Sequence, residues 1–144
     1  MIRTIILAVA ALPLLSLIAV DSHSVTVTVE GYQHQEGQLS IALFNSDEGF
    51  PKDHTEAYQR QTVAVDDNAT QITFDNVPAG TYAVAVYHDE DGDQELATNF
   101  MGIPKENVGI SNNPKVGIGN PPSFKRAQFE LSDNAEITIR LQNL

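Results

Sequence analysis

An acidic stretch in the middle of the chain, HDEDGDQEL, contains the residue types of a cation site. Asp89, Asp91 and Asp93 stand at alternate positions, with Gly92 between the last two. Calcium loops of the EF-hand kind use side-chain oxygens at their first, third and fifth positions and a backbone carbonyl at the seventh, which here is Glu95. Carboxylate oxygens are hard ligands that favour calcium over zinc or copper. The spacing predicts a structural calcium site formed by Asp89, Asp91, Asp93 and Glu95.

The same acids also fit a solvated turn. The twelfth position of a calcium loop carries a bidentate glutamate, and here it is Phe100. Asn99, Asn112, Asn113 or water would have to complete the coordination, and the expected affinity is then weak, roughly 10⁻⁴ to 10⁻³ M. In the alternative interpretation, the acids accept hydrogen bonds from backbone amides of their own turn, as Asp and Asn often do in loops. The sequence leaves both interpretations open.

Other residues that could bind a metal or take part in catalysis lie at the start of this stretch and after it. His88 could bind a transition metal, but no second histidine stands at a ligand spacing from it. Ser111 and Ser123 are not part of a G-x-S-x-G nucleophile elbow. Lys105 and Glu106 follow a proline and are interpreted as the first turn of a short helix. The sequence identifies no catalytic residue, although its many acids leave a hydrolytic carboxylate pair open.

The first 24 residues have the layout of a secretory signal peptide. A positive charge at Arg3 precedes an apolar run from Ile5 to Val20, and small polar residues follow. We expect cleavage after Ser22 or Ser24 and an exported product, periplasmic or extracellular. The alternative is an uncleaved membrane anchor, but a run of about sixteen residues with an internal proline is short for a bilayer that requires roughly 20.

Composition limits what the mature chain can be. The chain has 144 residues and a formal net charge of −11, and it contains no cysteine. This length suits one domain, residues 25–144, and the absence of cysteine excludes disulfides and thiol catalysis. A strongly acidic surface repels nucleic acid and anionic membranes. We therefore expect no nucleic-acid partner and no membrane span after cleavage, and predict a protein or glycan of the cell envelope as the partner.

Alternating apolar and polar residues predict an all-β fold. The predicted strands cover residues 25–31, 37–46, 61–66, 70–77, 82–88, 123–131 and 136–144. The fifth of them is apolar on both faces, which is typical of a central strand. Seven short strands with turn residues between them favour an antiparallel β-sandwich, immunoglobulin-like or prealbumin-like.

One long segment, from about residue 89 to residue 123, has no strong periodicity. Connections of this length are uncommon in compact domains and are often functional when they are ordered. Phe100, Ile103, Val108 and Phe124 give the segment apolar anchors. We expect an ordered loop that folds over one edge or end of the sandwich.

Three blocks of sequence carry a resemblance to a known family. FDNVPAGTYAVAVYHDEDGD, TNFMGIPKENVGISNN and PPSFKRAQFEL occur in this order and together resemble the domain-of-unknown-function 2141 family of secreted bacterial proteins. The resemblance covers essentially the whole mature chain. It implies an exported bacterial β-sandwich without an established biochemical activity. Family members usually have glycine at the position of Gln94 and an acid at that of Ala97, and these differences argue against tight ion binding.

Two functions are compatible with these patterns. The first is a non-catalytic envelope or secreted module, for binding or structure, with a weak calcium site in the Asp89–Asp93 loop. The second is a hydrolase that acts on an envelope or extracellular polymer with carboxylates of the long loop. Carboxylates that converge on one point favour the ion, whereas a carboxyl pair in a cleft with one raised pKa favours the enzyme.

Overall fold

The computed structural model describes residues 20–67, 69–117 and 119–143. The elements are β1 (Ser22–Glu30), β2 (Gln38–Phe44), a 3-10 turn (His54–Glu56), β3 (Gln59–Ala64), β4 (Thr70–Pro78), β5 (Gly80–Asp89), β6 (Val108–Ile110), α1 (Phe124–Ala127), β7 (Phe129–Leu131) and β8 (Ala135–Arg140). No helix within these residues has the length and apolarity needed to cross a membrane.

The strands form two sheets packed face to face, so the predicted β-sandwich is confirmed. The smaller sheet has the order β4-β1-β8, and the larger has the order β3-β2-β5-β6, with β7 paired to the beginning of β5. Eight strands are present in the described residues instead of seven. The pairs are antiparallel except for β1 and β8, which run parallel.

The main core lies between the two sheets. Val25 and Val27 of β1, Ile41 of β2, and Val84 and Val86 of β5 are at most 2% exposed. They stand at alternate positions because successive side chains of a strand point to opposite faces. This period places His88 of β5 on the core side of the sheet and Asp89 on the opposite side.

The long segment covers the outer face of the larger sheet. Phe44 of β2 and Ala85 of β5 form a second apolar cluster there with Ile110 and Ala127, and Phe124 packs against it. The segment also contains β6, which forms one edge of the larger sheet, and α1 follows directly after the segment. The sequence predicts that the segment folds over one edge or end of the sandwich. This is correct for β6, which lies at an edge, whereas Ile110 also covers the outer face of the sheet.

The predicted strand at residues 123–131 is wrong in its first half. Phe124 and Ala127 are three residues apart and lie on one side of a single helical turn, which begins after Ser123. Only residues 129–131 continue as a strand. A helix of one turn leaves no periodic signal, so its apolar residues were taken for part of the strand that follows.

Ser111 and Asn112 fix this covering layer to the sheet. The Ser111 hydroxyl is fully buried, accepts a hydrogen bond from the Val84 N–H at 2.9 Å and donates to the Ala127 carbonyl. The Asn112 amide donates to the Gln128 carbonyl at 2.9 Å. The Ser111 hydroxyl therefore has a structural role.

The predicted leader, residues 1–24, lies mostly outside the described residues. β1 begins at Ser22, so both expected cleavage points fall in the first residues of this strand. The position of the cut stays a prediction.

Candidate functional site

The acidic loop begins where β5 ends and closes where β6 begins. These two strands are antiparallel, Tyr87 pairs with Val108, and the His88 N–H donates to the Asn107 carbonyl at 3.0 Å. One further step in this register brings residue 106 beside residue 89. The two ends of the loop therefore meet, and each carries an acid.

Asp89 is the fixed member of the site. Its carboxylate is fully buried and accepts three hydrogen bonds, from the Gly92 N–H at 2.8 Å, the Gln94 N–H at 3.0 Å and the Gln38 side-chain amide at 2.9 Å. Burial raises the pKa of Asp89, but the hydrogen bonds, with that of Gln38 the strongest, outweigh it and hold the pKa below its ordinary value. Asp89 therefore remains ionised at neutral pH although water is excluded from it.

Asp91, Asp93 and Glu95 follow along the exposed part of the loop. One oxygen of Asp91 accepts a hydrogen bond from the Asp93 N–H at 3.2 Å, and one oxygen of Asp93 accepts from the Glu95 N–H at 2.8 Å. These are the side-chain to backbone bonds of the solvated-turn interpretation. In both aspartates the second carboxylate oxygen makes no hydrogen bond within the described residues.

Glu106 enters from the other end of the loop and is 8% exposed. Its two oxygens accept hydrogen bonds from the Ala97 N–H at 3.1 Å and, weakly, from the Glu90 N–H at 3.4 Å. Burial raises the pKa of the Glu106 carboxyl, and the two hydrogen bonds oppose this rise. The negative charges of Asp89 and Asp91 raise the pKa further. As a result, the pKa of Glu106 lies above its ordinary value.

Three carboxylates converge at the closed end of the loop. One oxygen from each of Asp89, Asp91 and Glu106 lies within 4.8 Å of the others. Calcium binds oxygens at 2.3–2.6 Å, so two ligands on opposite sides of the ion stand roughly 4.6–5.2 Å apart. Separations of up to 4.8 Å are therefore in the range found between oxygens that share one ion.

The structure brings together two of the four residues that the sequence predicts as ligands. Asp89 and Asp91 belong to the converging group, whereas Asp93 and Glu95 do not. A ligand role for these two stays a prediction. Glu106 is the member that sequence reasoning missed, and the helical turn predicted at Lys105 and Glu106 is wrong, because both lie in a bend that leads into β6.

The part of the loop beyond the site forms a small hairpin, residues 97–105, which we call the tip hairpin. Thr98 pairs with Pro104, and the Lys105 N–H donates to the Ala97 carbonyl at 2.8 Å. The Asn99 carboxamide oxygen accepts from two backbone N–H groups at its turn, so this predicted additional ligand is used inside the hairpin. Glu106 joins the tip hairpin to the site through Ala97.

His88 does not belong to the converging group. Its ring is fully buried, lies edge-on to Tyr32 at 6.2 Å, and places Nε2 2.6 Å from the Glu36 carbonyl. Nδ1 makes no hydrogen bond within the described residues and is 3.9 Å from a Glu90 oxygen. His88 lies in the end of the main core, on the face of β5 opposite Asp89.

Comparison with known proteins supports the resemblance seen in the sequence. The family model described as "Uncharacterized protein conserved in bacteria (DUF2141)" matches residues 27–140. No curated protein and no solved structure matches the chain. The matched range extends from β1 to the end of β8 and includes all three converging carboxylates. The chain therefore belongs to the DUF2141 family of bacterial proteins.

Proposed function

We propose that the protein is a non-catalytic exported module in which a structural calcium ion, bound by Asp89, Asp91 and Glu106, closes the acidic loop. The observation that carries the proposal is the approach of one oxygen from each carboxylate to within 4.8 Å of the others. The three residues come from the two ends of the loop. A shared ion would therefore connect β5 to the start of β6 in addition to their backbone hydrogen bonds.

Electrostatics favour a cation at this point. Like charges held close together repel one another, and burial of Glu106 strengthens the repulsion. The raised pKa of Glu106 follows from both effects. Without a cation, the contribution of Glu106 to stability is present below its ordinary pKa and is lost as pH rises through the raised pKa. A divalent cation would replace this repulsion by attraction and favour the ionised carboxylate.

The available oxygens suit weak binding. Asp89 already accepts three hydrogen bonds, so of the roughly four lone-pair sites on a carboxylate only one is left for an ion. Asp91 and Glu106 have more free positions, and water must supply the remaining ligands of a six- to eight-coordinate ion. We expect a dissociation constant of roughly 10⁻⁴ to 10⁻³ M, which is typical of extracellular calcium modules.

Calcium should raise the melting temperature of the protein. At a calcium concentration ten times the dissociation constant, binding to the folded state alone adds about 1.4 kcal/mol, which raises the melting temperature of a domain of this size by roughly 4–8 °C. The purified protein is melted in calcium, in magnesium and in chelator. We expect the rise in calcium, because magnesium requires a near-ideal octahedron and loses its water reluctantly.

Four matched variants identify the ligands. Asp91→Asn removes the charge and keeps an oxygen that can accept a hydrogen bond from the Asp93 N–H. This variant should not respond to calcium, and in chelator it should be at least as stable as wild type. Asp75→Asn, exposed on β4, is the control and should respond fully. Asp93→Asn and Glu95→Gln should also retain the response. The proposal is wrong if Asp91→Asn keeps its calcium response and loses stability in chelator.

A second candidate function, hydrolysis, is favoured by one observation. The pKa of Glu106 is raised and that of Asp89 is lowered, and pairs of this kind supply the acid and the base of many hydrolases. The surroundings argue against it, because all three hydrogen bonds of Asp89 hold its carboxylate in a buried position. Turnover of an envelope glycan that is lost in Glu106→Gln would support the hydrolase.

A further inference from the structure

A cavity of about 580 Å³ lies between the larger sheet and the long segment. Its volume is within the range of small-molecule sites, about 300–1,000 Å³. The buried floor includes Tyr87, Val108 and Ile110, which belong to β5 and β6.

Apolar side chains and backbone line the other walls. The tip hairpin contributes Met101 and Ile103, and the segment after β6 contributes Gly117 and Pro122. Met101 is 64% exposed, so it lies at the opening. A flexible methionine at this place can adapt to ligands of different shapes.

One charge stands at the opening. Among the described residues that line the cavity, Lys52 alone is charged, and its ammonium donates to the Gly102 carbonyl of the tip hairpin at 3.2 Å. Lys52 forms no ion pair with any described residue. An ammonium group has three donors, so the remaining two are available to a ligand.

We infer that this cavity binds a single-chain anionic amphiphile of the fatty-acid class, with the acyl chain in the apolar interior and the carboxylate at Lys52. The apolar walls account for the acyl chain. The ammonium of Lys52, which has no ion-pair partner among the described residues, accounts for the acidic group. The net charge of the protein is −11, so the field of the whole molecule repels anions. A preference for anions at this site would therefore have to come from a local positive charge, which is that of Lys52.

The test is calorimetric titration of the full protein with octanoate, decanoate and dodecanoate below their micelle concentrations, and with dodecylammonium as the cation of equal length. The titrations are made in chelator, because calcium precipitates long-chain carboxylates. We expect one site per chain and an affinity that rises about fourfold with each added methylene. Dodecanoate should bind at least tenfold more tightly than dodecylammonium.

Two variants locate the site. Gly117→Leu adds an apolar side chain to a residue of the cavity wall. A Cβ at this position meets no atom within 4 Å, and φ lies outside the left-handed region, so the fold has room for the larger residue. It should weaken dodecanoate binding more than tenfold. Lys52→Glu should reverse the preference for the anion, and Lys115→Glu, an exposed lysine outside the cavity lining, is the control of equal charge.

Three results would overturn the inference: a dodecylammonium affinity equal to that of dodecanoate, undiminished binding by Gly117→Leu, or heat without a saturable single site. The inference goes beyond the calcium proposal and can be separated from it. If dodecanoate binds in chelator and the melting temperature does not respond to calcium, the calcium proposal is contradicted and the cavity inference is supported.

Discussion

Replacement of Asp89 by alanine should lower the free energy of unfolding by about 4 kcal/mol, even in chelator. The side chain is fully buried, and its loss leaves the Gly92 N–H, the Gln94 N–H and the Gln38 amide without their acceptor. Each donor left without a partner in a buried place costs about 1–3 kcal/mol. The measurement is urea unfolding followed by circular dichroism.

Asp93→Ala is the matched control for this variant. Asp93 is exposed and, among the residues that the structure describes, accepts a hydrogen bond only from the Glu95 N–H, so its replacement should cost less than about 1 kcal/mol. A loss for Asp89→Ala as small as that of Asp93→Ala would contradict the role of Asp89 as the fixed centre of the loop.

The second large effect is a loss of stability in mild acid, caused by His54. Its ring is buried against Phe44 and Tyr87, Nε2 donates to the Pro51 carbonyl at 3.1 Å, and Nδ1 lies 2.8 Å from the Ser40 hydroxyl. A carbonyl can only accept, so the proton of the neutral ring is on Nε2 and Nδ1 accepts from Ser40. Burial lowers the pKa of His54 from 6.5 to about 4.

The sign of the effect follows from proton binding. Between pH 6.5 and pH 4 the unfolded chain takes up a proton at His54 and the folded protein does not, so this stability is fully present above pH 6.5 and is lost as pH falls to about 4. The shift corresponds to about 3 kcal/mol. Arg60 lowers this pKa further, while the Pro51 hydrogen bond and the Asp53 charge oppose the change.

Urea unfolding from pH 7 to pH 4 in chelator measures this contribution as a difference between two proteins. In His54→Gln the other titrating groups remain and the imidazole is absent, so we expect a clearly flatter pH profile than that of wild type. Parallel profiles for the two proteins would show that His54 does not cause the acid sensitivity.

The sequence predicted the sandwich well because its core strands alternate strictly. Val25 and Val27 of β1 and Val84 and Val86 of β5 are all buried, as the alternation requires. β6 could not be found in the same way, because three residues with a central glycine are too short for a period. The burial of His54 could not be predicted from the sequence either, since it depends on packing against strands that are distant in the sequence.

The candidate site was predicted only on one side. Asp89 and Asp91 are neighbours in the sequence, and their alternate spacing was sufficient to identify them. Glu106 comes from a position 17 residues beyond Asp89, and only the β5–β6 register brings the two together. Recognition of VGI, residues 108–110, as the returning strand would have placed Glu106 opposite Asp89. The sequence contained this signal, but in a form too short to distinguish from a loop.

Gln94 has a backbone conformation that is unusual for a residue other than glycine. Its φ is +63°, in the left-handed region that glycine adopts without strain. The resemblance implies glycine at this position in most family members. In this chain the hydrogen bond from the Gln94 N–H to Asp89 and that from the Tyr87 hydroxyl to the Gln94 carbonyl hold the residue in place.

The most direct test of the calcium proposal is a crystal structure of the purified protein soaked in about 10 mM calcium, ten times the weakest expected dissociation constant. Anomalous scattering identifies the ion and its position. We expect one calcium ion at about 2.3–2.6 Å from an oxygen of each of Asp89, Asp91 and Glu106, with water as the remaining ligands. An ion bound by Asp93 and Glu95 without Glu106, or no ion in the acidic loop, would contradict the proposal.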